Sequence, residues 1–141
     1  MKKEKKPMLT VDGIIIEKEK ILLIKRATQP YLNHWALPGG FVELNETLEV
    51  AVVREVNEET CLRTKTNRLI GAYSDPKRDP RGHTVSIVYF MKTTAGSKPK
   101  KTDEAKEIEY FDFDKIPEKI AFDHRKIIND AKKYLKSRNL L

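Results

Sequence analysis

The segment NETLEVAVVREVNEET, residues 45–60, combines helix-forming residues with a high density of acid. Asn45 or Thr47 can cap its N-terminus, and acidic residues in the first turn are typical of a helix start. The helical repeat places five residues on one face, with Glu58 beside them: Leu48, Ala51, Val52, Glu55 and Glu59. The acids continue the apolar stripe, so the spacing predicts that they point toward the protein body.

Carboxylates that point inward need partners, because an unpaired buried carboxylate is costly and tends to take up a proton. Arg54, as the i,i+4 partner of Glu58, is expected to reach only the edge of the cluster. A divalent cation such as Mg²⁺ or Mn²⁺ would be a better partner, since hard cations prefer oxygen ligands. The alternative is a solvated acidic face, which would lie opposite the apolar residues. The spacing favours a metal site without excluding that alternative.

The rest of the chain alternates β-rich and turn-rich segments. A hairpin is predicted over residues 9–26, and Pro38, Gly39 and Gly40 are expected to interrupt any regular element. Further strands are predicted over residues 68–74, 84–94 and 107–113. Residues 122–141 are predicted to form an amphipathic helix with these apolar residues on one side: Ile127, Ile128, Ala131, Tyr134 and Leu135. Intermixed strands and helices predict an α/β (α+β) fold, a sheet covered on its faces.

Composition limits the class of protein. The chain has 141 residues, 39% of them hydrophobic, so a single domain over residues 1–141 is expected, with residues 1–7 as a flexible basic tail. It has neither a long apolar run nor a pattern that resembles a secretion signal, which predicts a soluble cytoplasmic protein that does not enter membranes. Cys61 is the one cysteine, which excludes an internal disulfide framework. The formal charge of +7 comes from scattered lysines, so nucleic-acid binding is not expected as the main function.

The segment GGFVELNETLEVAVVREVNEETCL (residues 39–62) resembles the signature box of the Nudix hydrolases, G-x5-E-x7-R-E-U-x-E-E-x-G-U, with U an aliphatic residue. Eight residues match in register: Gly40, Glu46, Arg54, Glu55, Val56, Glu58, Glu59 and Leu62. One position differs, because Cys61 stands where the family has glycine. A glycine after a helix end often adopts a left-handed backbone, which costs other residues on the order of 1 kcal/mol. We expect Cys61 to be a small buried residue at this turn and not a nucleophile.

The resemblance implies the α/β/α Nudix sandwich around a central mixed sheet, and hydrolysis of a nucleoside diphosphate linked to another group. It implies that Mg²⁺ or Mn²⁺ is held by Glu55, Glu59, the Gly40 carbonyl and Glu58, which alternatively positions water. Glu46 and Arg54 would orient the loop and the helix around these ligands, and Arg54 and Glu58 are counted among the catalytic residues.

A general base is expected from a loop beyond the box, as in related enzymes. The loop before the last strand offers four acids: Asp103, Glu104, Glu107 and Glu109. Glu104 is favoured, because in related enzymes a glutamate about this far ahead of the aromatic of the next strand, here Tyr110, lies near the metals. The alternative is a solvated acidic loop.

Residues 73–90 and 121–128 resemble segments of the small ADP-ribose pyrophosphatases and of the Nudix domain in certain NAD-metabolism repressors. The implied substrate is ADP-ribose, cleaved to AMP and ribose 5-phosphate. Three residues are expected to contact it: Arg26, Arg81 and Tyr73. Further candidates are Arg78 for phosphate or ribose, and Trp35 or Phe122 for stacking, although both aromatics could equally belong to the core. His83 and His124 are expected to anchor loops.

Two other functions stay open. One is hydrolysis of another nucleotide, such as an oxidised nucleoside triphosphate or a dinucleoside polyphosphate. The other is an ADP-ribose sensor without activity, which is less expected because all the box carboxylates are present and no segment follows the closing helix to form a winged helix. A homodimer is expected from related ADP-ribose hydrolases.

Overall fold

A computed structural model describes residues 5–141 of the chain. Its elements, in chain order, are β1 (Met8–Glu17), β2 (Lys20–Arg26), β3 (Trp35–Ala36), β4 (Gly39–Phe41), α1 (Leu48–Thr60), β5 (Thr64–Tyr73), β6 (Thr84–Thr93), β7 (Ala105–Asp112) and α2 (His124–Ser137). The flexible tail predicted for residues 1–7 falls partly outside the described residues, and residues 5–7 are exposed without regular structure. Neither of the helices found in residues 5–141 is long and apolar enough to cross a membrane.

The strands form one mixed sheet. Its main order is β3-β2-β1-β6-β5, while β4 pairs with β1 and β7 pairs with β2. β1 and β6 run parallel over Met8–Ile15, and the other pairs are antiparallel. The mixed sheet that the family resemblance implied is therefore confirmed.

The predicted hairpin is formed by β1 and β2. Lys18 and Glu19 connect the strands, and both have positive φ angles, 50° and 65°. Two left-handed residues in a two-residue connection match the twist of the strands, which explains why the hairpin closes without glycine or asparagine.

The two helices cover opposite faces of the sheet. Successive β1 residues point to opposite faces, so Ile15 packs in the cluster with α1 residues and Ile14 in the cluster with α2 residues. On the α1 side the buried helix residues are Ala51, Val52 and Val56. On the α2 side they are Ile127, Ile128, Ala131 and Leu135, which confirms the predicted apolar face. The result is the expected α/β/α sandwich.

One expectation about the backbone is wrong. Gly39 and Gly40 do not interrupt regular structure but form β4 with Phe41, paired antiparallel to Thr10–Asp12 of β1. A Cβ at Gly39 would overlap the Val11 carbonyl and the Asp12 carboxylate. Glycine here permits a close approach of two strands, which turn-based prediction interprets as a break.

Candidate active site

α1 carries the predicted acids, and Thr47 is its N-cap. Thr47 Oγ1 accepts a hydrogen bond from the Val50 N–H at 3.1 Å, whereas Asn45 lies before the cap with φ 67°. The Val50 N–H has no acceptor within the helix, so its bond to Thr47 fixes where the helix begins. The start of the helix in turn decides which residues of the following turns face the sheet.

The three neighbouring glutamates of α1 differ in exposure. Glu59 is buried, with 7% of its surface exposed, Glu55 is half-buried, and Glu58 on the flank is exposed. Glu59 Oε1 accepts a hydrogen bond of 2.7 Å from the Gly39 N–H. Burial raises the pKa of Glu59 well above its ordinary value, the Gly39 N–H opposes this, and the nearby charge of Glu55 adds to it.

Gly40 lies directly against Glu55. A Cβ at Gly40 would overlap the Glu55 carboxylate, so glycine is required for the carboxylate to lie here. Burial raises the pKa of Glu55, and its contact with Arg54 opposes this rise. The matched first glycine of the box thus has a steric role that is visible in this chain.

Arg54 lies at the centre of the acids, and the expectation that it reaches only their edge is wrong. Its guanidinium donates to Glu46 at 2.6 and 2.9 Å, to Glu55 at 2.8 Å and to Glu58 at 3.2 Å. It also donates to the Phe41 carbonyl at 3.0 Å. Counting i,i+4 pairs along a helix misses Glu46, in the loop before the helix, and Phe41, at the end of β4. Its fork of donors ties that loop to α1.

Glu104 comes to the same acids from a distant segment. One ligand oxygen each of Glu55, Glu58 and Glu104 lies within 4.8 Å of the others. The loop that carries Glu104 is fastened to the end of α1, because Thr102 Oγ1 donates to the Glu59 carbonyl at 2.9 Å. The favoured acid of the four is thus the one beside the glutamates of α1.

Two of the other acids lie elsewhere. Glu107 forms an exposed ion pair with Lys25 at 3.0 Å, and Glu109 pairs with Leu23 within the sheet. Asp103 lines the cavity next to Glu104.

The acid cluster has the donor chemistry for a divalent cation. Glu55, Glu58 and Glu104 offer carboxylate oxygens close together, and Glu59 is buried beside them. Among residues 5–141, the Gly39 N–H is the one hydrogen-bond donor to the Glu59 side chain. A hard dication would offset the repulsion and the burial of these charges, so the residues present fit Mg²⁺ or Mn²⁺.

A cavity of about 310 Å³ opens beside these acids. Glu59, Glu104 and Gly40 line one part of it, and Arg26 and Arg81 line another. Both guanidinium groups lie over the ring of Phe122, at 5.1 Å for Arg26 and 5.5 Å for Arg81. The cavity therefore places fixed positive charge close to an acidic cluster, an arrangement that suits a phosphate group bridging to a cation.

The two arginines are held differently. Arg26 Nε donates to the Pro30 carbonyl at 2.7 Å, so its guanidinium is held by the backbone. Burial lowers the pKa of Arg26, and the nearby charge of Arg81 adds to this. Arg81 forms an ion pair with Asp79 at 2.8 Å and also lies 4.9 Å from the ring centre of Phe41.

Arg78 and Tyr73 are both engaged by partners within the fold. Arg78 is buried and donates to Asp123 at 2.7 and 3.0 Å and to Thr84 at 2.8 Å, so its donors are engaged within the fold. Tyr73 lines a neighbouring cavity that shares only Arg78 and Phe122 with the first, and its hydroxyl donates to Asp130 at 2.8 Å.

The aromatic and histidine candidates lie in different parts of the fold. Trp35 packs against Phe111 with ring centres 4.9 Å apart and lines neither cavity, whereas Phe122 lines both. Phe122 has φ 54°, a rare conformation for a bulky residue and often found at binding sites. His83 Nε2 donates to the Ser74 carbonyl at 3.0 Å, as a loop anchor.

Cys61 has the predicted backbone but not the predicted burial. Its φ of 63° and ψ of 4° are left-handed, and its N–H donates to the Asn57 carbonyl at 2.8 Å. Its side chain is exposed, so the expectation of a buried cysteine is wrong. The reason is that the neighbours Thr60 and Leu62 take the inward positions, both fully buried.

Two residues that line the cavity were not predicted from the sequence as binding residues. Asp12 and Asp79 both line it and both are buried. Asp12 had a signal, because an acid within the apolar run LTVDGIII is out of place in a buried strand. Asp79 had none, since an acid in a turn-rich segment is ordinary.

Comparisons with known proteins agree with this geometry. The family model described as NUDIX domain matches residues 6–131. An ADP-ribose pyrophosphatase of Methanocaldococcus jannaschii is 55% identical over 124 residues, which cover 88% of this chain and 72% of that protein.

Two solved structures are similar in fold. The NUDIX domain of Shewanella oneidensis NrtR, complexed with ADP ribose, matches with a TM-score of 0.77 and 27% identity, over 94% of this chain and 90% of that one. A bifunctional NMN adenylyltransferase/ADP ribose pyrophosphatase of Francisella tularensis, complexed with AMP and a Mn ion, matches with a TM-score of 0.76 and 25% identity. The match covers 96% of this chain but 42% of the bifunctional protein, so less than half of that protein is represented.

Proposed function

The chain belongs to the NUDIX domain family, and from that premise we propose that it hydrolyses the diphosphate of ADP-ribose to give AMP and ribose 5-phosphate. The observation that carries the proposal is the meeting of Glu55, Glu58, Glu59 and Glu104 beside a cavity that also holds Arg26 and Arg81. The relative from M. jannaschii, 55% identical, supports ADP-ribose as the substrate.

The reaction requires a divalent cation, and we propose Mg²⁺ or Mn²⁺. Glu55, Glu58 and Glu59 would hold it, with the Gly40 carbonyl as a further ligand. The cation supplies charge neutralisation at the diphosphate and makes water more acidic. The F. tularensis structure with a Mn ion supports this choice of metal.

Glu104 is proposed as the general base. Its carboxylate lies within 4.8 Å of those of Glu55 and Glu58, so a water between them can lose its proton to Glu104. The water oxygen then bonds to one phosphorus, and the bond from that phosphorus to the bridging oxygen breaks. The two products are phosphate monoesters, and the proton stays on Glu104 until solvent removes it.

Arg26 and Arg81 are proposed to bind the diphosphate. Both line the cavity. The Arg26 guanidinium lies over the Phe122 ring, and the Arg81 guanidinium lies over the Phe41 ring. Arg54 and Glu46 act indirectly, because Arg54 holds Glu46, Glu55 and Glu58 in place. Tyr73 is proposed as a substrate contact through the neighbouring cavity only, beyond Phe122.

The test is turnover of four substrates with Mg²⁺: ADP-ribose, NADH, diadenosine tetraphosphate and 8-oxo-dGTP. We expect the highest kcat/KM with ADP-ribose, and AMP with ribose 5-phosphate as the products. A higher kcat/KM for another of the four would contradict ADP-ribose as the substrate, but it would leave the proposed catalytic residues in place. A complete lack of turnover with intact Mn²⁺ binding would favour an ADP-ribose sensor.

Three further expectations stay predictions. A homodimer is tested by light scattering after gel filtration, and a cytoplasmic location by fractionation of cells. The single domain over residues 1–141 is tested by whether limited proteolysis leaves one stable product.

A further inference from the structure

We propose that His124 is a positioning residue, which holds the Leu37–Gly39 segment and through it fixes Glu59 for the catalytic centre. This inference rests on the function proposed above and deepens it. His124 is the first residue of α2, on the face of the sheet opposite α1. The proposed link therefore joins the two helical layers through three residues of backbone.

The first contact in the link joins a backbone donor to an imidazole acceptor. The Leu37 N–H donates to His124 Nδ1 at 3.0 Å, and the two residues are 2% and 3% exposed. Because Nδ1 accepts, the neutral ring carries its proton on Nε2. The tautomer of His124 is thus tied to a backbone N–H.

Asp12 and Ser86 hold the other side of the ring. His124 Nε2 lies 3.7 Å from Asp12 Oδ2, and the same oxygen accepts a hydrogen bond from the Ser86 hydroxyl. The carboxylate lies where it favours a proton on Nε2. The buried set of Asp12, Ser86 and His124 therefore presents Nδ1 as an acceptor toward Leu37.

The second contact lies two residues further along the segment. The Gly39 N–H donates to Glu59 Oε1 at 2.7 Å, and between the two donors the Pro38 carbonyl accepts from the Gly13 N–H at 2.9 Å. If the acceptor on His124 is lost, a buried N–H is left without a partner, which strongly favours a shift of the segment. Such a shift moves Gly39 relative to Glu59.

Two substitutions of similar polarity distinguish a positioning role of His124 from a role in which its side chain only fills space. In His124→Asn the side-chain oxygen can lie near the position of Nδ1, whereas in His124→Gln the polar end lies near that of Nε2. Each protein is compared with wild type by amide hydrogen exchange at Leu37 and Gly39, and by Mn²⁺ titration without nucleotide. Turnover of ADP-ribose is measured in parallel.

We expect His124→Asn to keep both amides protected and to bind Mn²⁺ within about twofold of wild type. His124→Gln should lose protection at both amides and raise the Mn²⁺ dissociation constant about tenfold, with kcat lowered in parallel. Wild-type Mn²⁺ affinity in the Gln variant, or equal loss in both variants, would overturn the proposal. Neither exchange nor Mn²⁺ binding needs a nucleotide, so failure of wild-type protein to cleave ADP-ribose would contradict the proposed function instead.

Discussion

Arg54 shows how single side chains create this centre, because three glutamates converge on one guanidinium. It ties Glu46 from the loop to Glu55 and Glu58 of α1, with donor to acceptor distances of 2.6 to 3.2 Å. A lysine has no planar fork and cannot make these contacts together. The acids, and Arg54 as a partner of Glu58, could be recognised from the sequence, but helix spacing did not show that Glu46 and Glu55 accept from the same guanidinium.

The first prediction concerns the pH dependence of Glu46. Its hydrogen bonds from Arg54 and from the Glu43 N–H lower its pKa to about 2, from 4.5. A lowered pKa gives stability that is fully present above pH 4.5 and is lost as the pH falls toward 2. Thermal melting of wild type and Glu46→Gln in EDTA should therefore differ most near neutral pH and converge in acid. A difference that does not change with pH would contradict this role.

The second prediction tests the proposed base. Glu104→Gln should lower kcat on ADP-ribose by about a hundredfold or more and change KM little, because a glutamine cannot take the proton of water. Glu107→Gln is the matched control, since Glu107 pairs with Lys25 away from the cluster, and it should keep wild-type kcat. Near-normal kcat in Glu104→Gln would show that Glu104 is not the general base.

The third prediction concerns the turn after α1. Cys61 has φ 63°, so Cys61→Gly should relieve on the order of 1 kcal/mol of backbone strain. The thiol is free and exposed, so the change removes no buried side chain. We expect an unchanged kcat and an equal or higher Tm by calorimetry. A clear fall of both would show that the thiol has a role at this turn.

At the scale of elements, periodicity and turn residues predicted most of the fold. The hairpin, α1, β5, β6, β7 and α2 all overlap the segments that the pattern of apolar residues indicated, although β5 begins earlier, at Thr64, and α2 ends earlier, at Ser137. The short strands β3 and β4 were not predicted, because two or three residues carry no periodicity. β4 depends on the close approach of Gly39 to β1, a tertiary contact that no local pattern encodes.

The fourth prediction concerns how α2 is attached to the loop before β6. The Arg78 side chain is 3% exposed and pairs with Asp123 at the start of α2. Asp123→Ala leaves this guanidinium with Thr84 as its side-chain partner, so the free energy of unfolding should fall by about 3 kcal/mol in urea titrations. Glu107→Ala breaks an exposed ion pair and should cost less than about 1 kcal/mol. Equal losses in the two variants would contradict a structural role for the Arg78 pair.

At the scale of the whole molecule, the cavity is assembled from segments far apart in the sequence. Asp12 belongs to β1, Arg26 to β2, Glu104 to the loop before β7, and His124 to α2. The signature box predicted the acidic side of the site, because its spacing is local to one helix. The opposite side depends on which segments the sheet brings together. Sequence spacing therefore could not predict that Asp79 lines the cavity or that Arg78 is bonded to Asp123 and Thr84.

The proposed function places a divalent cation among the acids on the inner face of α1, at the catalytic centre of an ADP-ribose hydrolase. The most direct measurement is kcat/KM for ADP-ribose in EDTA-treated protein as Mg²⁺ is added, for wild type and Glu59→Gln. Wild-type turnover should appear only with Mg²⁺ and release AMP and ribose 5-phosphate, and it should be largely abolished in the variant. Turnover that needs no divalent cation, or that is undiminished in Glu59→Gln, would contradict a cation-dependent centre at these acids.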